Sequence, residues 1–266
     1  MEQRTMMEDV SELISVMATR SASHLSKRYQ FIPTTRVIED VKVHGWLPVR
    51  ASEVQARSPK TIGLQKHMVV FRNPAFPTLG KYKTVPEILL YNSHDGSAAY
   101  QIFIGLFRLI CSNGMVVADS LFGSFKIRHV GYTQDLVREA VENVLETIPK
   151  IFSRINQFNT IEMTRDDQEV YAMAAVQLRW NEEEAEKKEI NYAELIRPIR
   201  KEDEDSTLWN TYNILQEKLV TGGVGFIQRA RGNDFRTNKG IRSISEVVRV
   251  NKALWLLTEK FANRAN

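Results

Sequence analysis

The chain has 266 residues, 43% of them hydrophobic and 26% charged, with 36 Lys+Arg against 32 Asp+Glu and a formal net charge of +4. These are the proportions of an ordinary globular protein long enough to bury its own core, so global disorder is excluded and neither disulfides nor a structural metal are needed to hold the fold. Cys111 stands alone, and no stretch approaches about 18 uninterrupted apolar residues, so an internal disulfide, a signal peptide and a membrane span are all excluded and a cytoplasmic setting is expected.

Residues 1–30 read as a helical arm, with Met6, Val10, Leu13, Ile14 and Met17 at helical spacing. A short helix is expected from Pro33 and Thr34 to just before Gly45, with Val37, Ile38 and Val41 on one face. Between Trp46 and Val130, frequent Pro and Gly separate short apolar runs, HMVVF, EILLY, YQIFIGLFRLI and MVV among them, which predicts strands with YQIFIGLF at the centre of the sheet. From about Thr133, Val137, Val141, Val144, Ile148, Ile151 and Ile155 follow helical steps, and Pro149 is expected to kink or split that helix. Thr164 and Asp167 form the signature of a capping box for the next helix. Residues 181–205 hold ten acids and five bases and read as an exposed acidic connector. Helices follow at 207–220 and from Ser245, separated by a Gly-rich basic loop over 221–242. The expected architecture is α+β: a 31–160 core domain built on a mostly antiparallel sheet, then a helical region over 161–266.

Charge is unevenly distributed. Residues 228–266 carry nine bases and three acids, directly after the acidic connector. In TGGVGFIQRARGNDFRTNKGIR, glycines let backbone amides approach an anion while arginines can pair with phosphate oxygens, and Phe235 supplies a ring. No Gly-Lys-Ser/Thr follows GGVG, so this is not a nucleotide-hydrolysis loop. The alternative is a solvated loop that neutralises its acidic neighbour. A second basic set, including Lys66, Arg72, Arg108, Lys126 and Arg128, is interleaved with aromatic residues such as Phe71, Tyr91 and Phe107, the mixture a single-strand groove uses, although most such rings belong to a core. Arg108 interrupts an apolar run and must either reach the surface or be partnered inside.

Catalytic candidates are few. In YNSHDGSAAY, His94 and Asp95, joined by His129 from KIRHVGY, could bind a metal or act as an acid/base pair. The same residues are what a tight turn demands. No HExxH or paired Cys spacing is present, which excludes a structural zinc site, and Cys111 reads as a buried inert thiol.

The segments KHMVVFRN, PEILLYNSHDGSAAYQIFIGLFRLICSNGMVV, IRHVGY, TLWNTYNILQEKLVTGG and RVNKALWLLTEKFA resemble an uncharacterised family of proteins carried by plasmids, prophages and phages and known only as a domain of unknown function. The resemblance runs from about Trp46 to Phe261 and leaves the first 45 residues outside it. It implies work on DNA, or interference with a host's response to incoming DNA. Its helix, strands, helix order is similar to the core of Rad52-type single-strand annealing proteins, an analogy of topology alone.

Three readings follow. The leading one is a non-catalytic DNA-binding protein without a cofactor, preferring single strands, that contacts phosphates through Lys66, Arg108, Arg128, Arg229, Arg231 and Arg236; an annealing role would favour homo-oligomeric rings or filaments. The second is a metal-dependent nuclease or hydrolase using His94, Asp95 and His129. The third is a module that blocks a host defence protein, its acidic segment from Glu182 to Asp205 imitating nucleic acid.

Overall fold

In the computed structural model, Pro33, with its fixed φ, precedes the first helix, α1 (Thr34–Val43), which buries Val37, Ile38 and Val41 as their spacing requires. The structure describes residues 10–26, 29–56, 58–76, 84–108, 113–116, 125–127, 133–229 and 234–264. Contacts divide the chain into two units, Met1–Ile148 and Pro149–Asn266.

The first unit is built on a sheet of six strands: β1 (Leu47–Glu53), β2 (His67–Arg72), β3 (Thr84–Asn92), β4 (Tyr100–Arg108), β5 (Asn113–Val116) and β6 (Phe125–Ile127). The order is β1-β2-β3-β4-β5, every pairing is antiparallel, and β6 joins β4 over Tyr100–Ile102 while β5 joins it over Gly105–Arg108. The apolar runs EILLY and YQIFIGLF are the two central strands, paired Ile88 to Ile104 and Leu90 to Ile102, and seven of the nine residues at the end of each strand form an unbroken buried run. Such continuity means both faces are covered, because a strand exposed on one face alternates. The expected amino-terminal helix is limited, among the described residues, to one 3-10 turn, Val10–Glu12. Leu13 and Val16 are buried there, but the Ser15 backbone N–H and hydroxyl both donate to Glu53 of β1, at 3.0 and 2.6 Å. An amide committed to a side chain in a strand cannot also serve a helix. Met6 lies outside the described residues.

The long helix α2 (Gln134–Thr160) continues through Pro149, so the expected split does not occur. The boundary between the units nevertheless falls at this proline. In the second unit, α3 (Arg165–Arg179) opens on the anticipated Thr164–Asp167 capping box. The acidic segment is not a plain connector: it forms α4 (Glu182–Glu186), β7 (Lys188–Ile190) and α5 (Tyr192–Leu195), and it buries Ile190, Leu195 and Ile196. Three apolar residues among the acids suffice to anchor it.

Thr207 caps α6 (Leu208–Val220), and α7 (Ile244–Arg264) closes the chain. Between these helices the expected basic loop is instead a hairpin, β8 (Gly222–Gln228) and β9 (Asp234–Lys239), which with β7 makes an antiparallel sheet ordered β7-β8-β9. Val224 and Phe226 alternate inward with Gly225 between them, a period of two that glycine content obscured. The core of this unit gathers Phe158, Tyr171, Trp209, Tyr212 and Trp255, with Trp209 stacked on Tyr212 at 5.3 Å and Trp255 edge-on to Tyr212 at 5.8 Å. Each such ring withdraws on the order of 150–250 Å² from water, so aromatic burial is a large part of what holds this unit together.

Candidate functional site

The hairpin presents the most open chemistry. All of β9 except Asn238 is exposed, and it is the outer strand of its sheet. Opposed residues share a face, so the pairing of Ile227 with Phe235 and of Gly225 with Thr237 puts these four on one side. Phe235 is 74% exposed, and its ring lies across Gly225, where an added Cβ would come within 2.9 Å of the ring. Glycine therefore lets the ring lie flat. Beside it runs a groove of about 830 Å³ whose lining includes Glu189, Arg197, Ile199 and Lys218.

Cations of the hairpin are held loosely. Arg229 lies 3.5 Å from Glu189 and Arg236 lies 3.7 Å from Asp234, with all four side chains exposed by 43% or more, so these pairs are worth little and can be exchanged for a ligand. Lys218 is committed: its ammonium donates to the carbonyls of Glu194, Leu195 and Arg197 at 2.9, 2.7 and 2.9 Å, and burial pushes its pKa down. All three of its donors hold the groove wall. Acids of the 182–205 segment are partly compensated in place, Glu183 by Lys187, Glu194 by Arg197 and Asp203 by Arg200.

Of the remaining sequence candidates, the described ones lie in the first unit. Lys66 is half-buried beside β2 in the first unit. Arg108 takes the inward alternative: it is fully buried at the end of β4, opposite Thr84 of β3 and Asn113 of β5, and has an interaction there, so it is not on a basic rim. Arg128, His129, Arg231 and Cys111 lie outside the described residues. Phe71, Tyr91 and Phe107 are core, as expected of most such rings.

His94 and Asp95 serve different local structures. The Asp95 carboxylate accepts from the Ser97 amide and hydroxyl at 2.9 and 2.5 Å, hydrogen bonds that hold its pKa down against partial burial, and Gly96 takes φ +81°: this is the turn that Asp-Gly-Ser composition demands. The His94 ring is completely buried, with Nε2 3.1 Å from the Thr34 hydroxyl. That hydroxyl also meets His67 Nε2 at 2.9 Å and the Tyr100 hydroxyl at 3.1 Å, and Tyr100 donates to the Ile32 carbonyl at 2.6 Å. One threonine at the start of α1 thus ties the helix to β2, β4 and the turn after β3. Burial pushes His67 down to about 4, so it is neutral at pH 7. Among the described residues no group of three or more His, Cys, Asp or Glu could hold a metal ion, and no helix is long and apolar enough to cross a membrane.

A second buried polar group went unread in the sequence. Glu87 of β3 is fully buried and shared by Arg50 of β1 and Arg72 of β2, at 2.6 and 2.8 Å. Its signal was available: a lone carboxylate in the apolar run EILLY must find cations when buried.

Comparison with known proteins places most of the chain in one family. The model of the family described as Domain of unknown function (DUF932) matches residues 22–255. The chain is 32% identical over 249 residues to each of two Escherichia coli K12 proteins, UPF0380 protein YfjQ and UPF0380 protein YafZ, covering 92% of this chain and 86% of each relative. No solved structure matches it. With its central sheet, its carboxyl-terminal hairpin and most of its length inside these matches, the chain belongs to the DUF932 domain family.

Proposed function

We propose that this protein binds single-stranded nucleic acid, DNA by preference, through the β8–β9 hairpin, and that it does so without breaking bonds. The observation that carries the reading is the 74% exposure of Phe235, laid over Gly225 on a strand that also bears Arg236 and Lys239, with Arg229 directly after β8. An exposed ring stacks a base whatever its identity, and cations meet its phosphates from both faces of this outer strand, Lys239 from the ring's own face and Arg236 from the opposite one. The hairpin from Gly222 to Lys239 contains four bases and one acid, so its field favours a polyanion. His94 is spent on an interior hydrogen bond and Asp95 on its own turn, which speaks for binding over hydrolysis.

Fluorescence anisotropy of a labelled single-stranded oligonucleotide tests this at two salt concentrations. Binding should weaken steeply as salt rises, and Phe235→Ala should lower affinity by about 1–3 kcal/mol, the worth of one stacked base. Absence of binding at low salt would reject the proposal.

A further inference from the structure

Arg50, Arg72 and Phe107 make a construction that stability does not require. Replacing a buried ion triad by apolar residues is often neutral or stabilising, so three charges gathered on neighbouring strands need another reason. Their geometry supplies one. Arg72 lies 3.9 Å and Arg50 4.9 Å from the centre of the Phe107 ring, and both bind the one Glu87 carboxylate. Arg50 spends an Nη donor on that carboxylate and Arg72 its Nε, leaving several of the five N–H groups of each guanidinium uncommitted to it. About a quarter of each arginine side chain (23% and 26%) stays in solvent while Glu87 is sealed beneath. None of the nitrogens on either arginine is buried without a partner. Two cations against one anion leave the cluster at +1, and the ring and the carboxylate fix both guanidinium planes before any ligand arrives.

We infer that the Arg50–Arg72 pair is a preformed clamp for a phosphate group. Arginine forks match phosphate oxygens two at a time, and a site already ordered loses little entropy on binding. The clamp lies in the first unit and needs only phosphate chemistry, so it does not depend on the hairpin; the phosphate is that of a free phosphate compound or of a nucleic-acid backbone, and the two titrations below distinguish these sources.

The test follows the arginine side-chain N–H resonances of the full-length protein by NMR. One titration uses inorganic pyrophosphate and the other a single-stranded oligonucleotide without terminal phosphates. Saturable shifts of Arg50 and Arg72 with pyrophosphate are expected, with a midpoint raised at least about tenfold in Arg72→Gln, the loss of one charge-assisted contact. Shifts with the oligonucleotide alone would also support the clamp and assign the phosphate to the polymer. No shift with either, or a pyrophosphate response unchanged in Arg72→Gln, overturns it, and the wild-type titration decides even where the variant does not fold. Should the oligonucleotide fail to bind at all, the hairpin reading falls while the pyrophosphate titration still judges the clamp. If Phe235→Ala weakens the oligonucleotide but neither ligand moves the arginines, the clamp falls and the hairpin stands.

Discussion

The two sheets of this protein use polar groups in opposite ways. In the six-stranded sheet, charged and hydrogen-bonding side chains are drawn inward: Glu87, His67, His94, Asn92 and Arg108 are all buried, and they join strands to each other and to α1. In the three-stranded sheet they remain outside, where β9 holds Asp234, Phe235, Arg236, Thr237 and Lys239 in solvent. The difference is one of coverage. A sheet packed on both faces has no water to satisfy its polar side chains and must pair them with one another, whereas an edge hairpin keeps them solvated and exchangeable. Substitutions of the buried polar groups of the first sheet should therefore be read in stability, and substitutions on the exposed face of the second in binding.

Glu87→Ala gives the sharpest test of that contrast. It leaves two arginine head groups without their shared partner, and about 3–5 kcal/mol of unfolding free energy should be lost, visible as a lower urea midpoint. A loss under about 1 kcal/mol would mean that the first sheet tolerates loose charge as the second does.

Acid comes next. His67 is held near 4 in the folded protein against 6.5 for the free side chain, so between these values the unfolded chain takes up a proton that the folded one refuses. Stability from this histidine is full above about 6.5 and falls as pH drops toward 4, by up to about 3 kcal/mol. Burial raises Glu87, which works in the opposite sense as pH rises, so the histidine's share is isolated by comparing wild type with His67→Gln across the range. An equal fall in thermal midpoint for both proteins would show that His67 is not the group responsible.

Thr34→Val keeps the shape of its side chain but removes the hydroxyl shared by His67, His94 and Tyr100. A cost of about 1–3 kcal/mol is expected in denaturant unfolding, the usual penalty for buried groups deprived of a partner. The smallest effect on stability belongs to the second sheet. Phe235→Ala should change the unfolding free energy by no more than about 0.5 kcal/mol, the usual result for an exposed position, while oligonucleotide affinity drops. A marked destabilisation would make the ring part of the core of its unit and remove the reason to regard it as a stacking platform. Gly225→Val refines the same point, since a side chain there must push Phe235 aside and should weaken binding with the ring still present.

Much of this was legible in the sequence. Thr164 and Asp167 announced α3 because a capping box needs only residues three apart, and the Asn-Ser-His-Asp-Gly-Ser turn was specified by side chains that bond their own backbone. The apolar runs of β3 and β4 marked the middle of the sheet. The hairpin reads as a loop in the sequence because glycine and arginine dominate GGVGFIQRARGNDFR, and only Val224 and Phe226 carry its alternation. The acidic segment reads as a connector for a related reason, its ten acids hiding the apolar residues that dock it. In the candidate sites, Arg229, Arg236 and Phe235 were visible as types, whereas the partners of His94 and the whole Arg50–Glu87–Arg72 group were not.

What the sequence determined by itself was the local layer: caps, turns, helical faces and the succession of strands, all set by backbone sterics and by the spacing of apolar side chains within a few residues. Tertiary structure decided the rest. That Thr34 would meet two histidines 33 and 60 residues away, and that Glu87 would lie between arginines 37 and 15 residues before it, depends on strand order and register, which are selected by how whole faces pack. Charges distant in the chain become neighbours only through that choice, because a buried ion is stable only where the fold brings its partner to it.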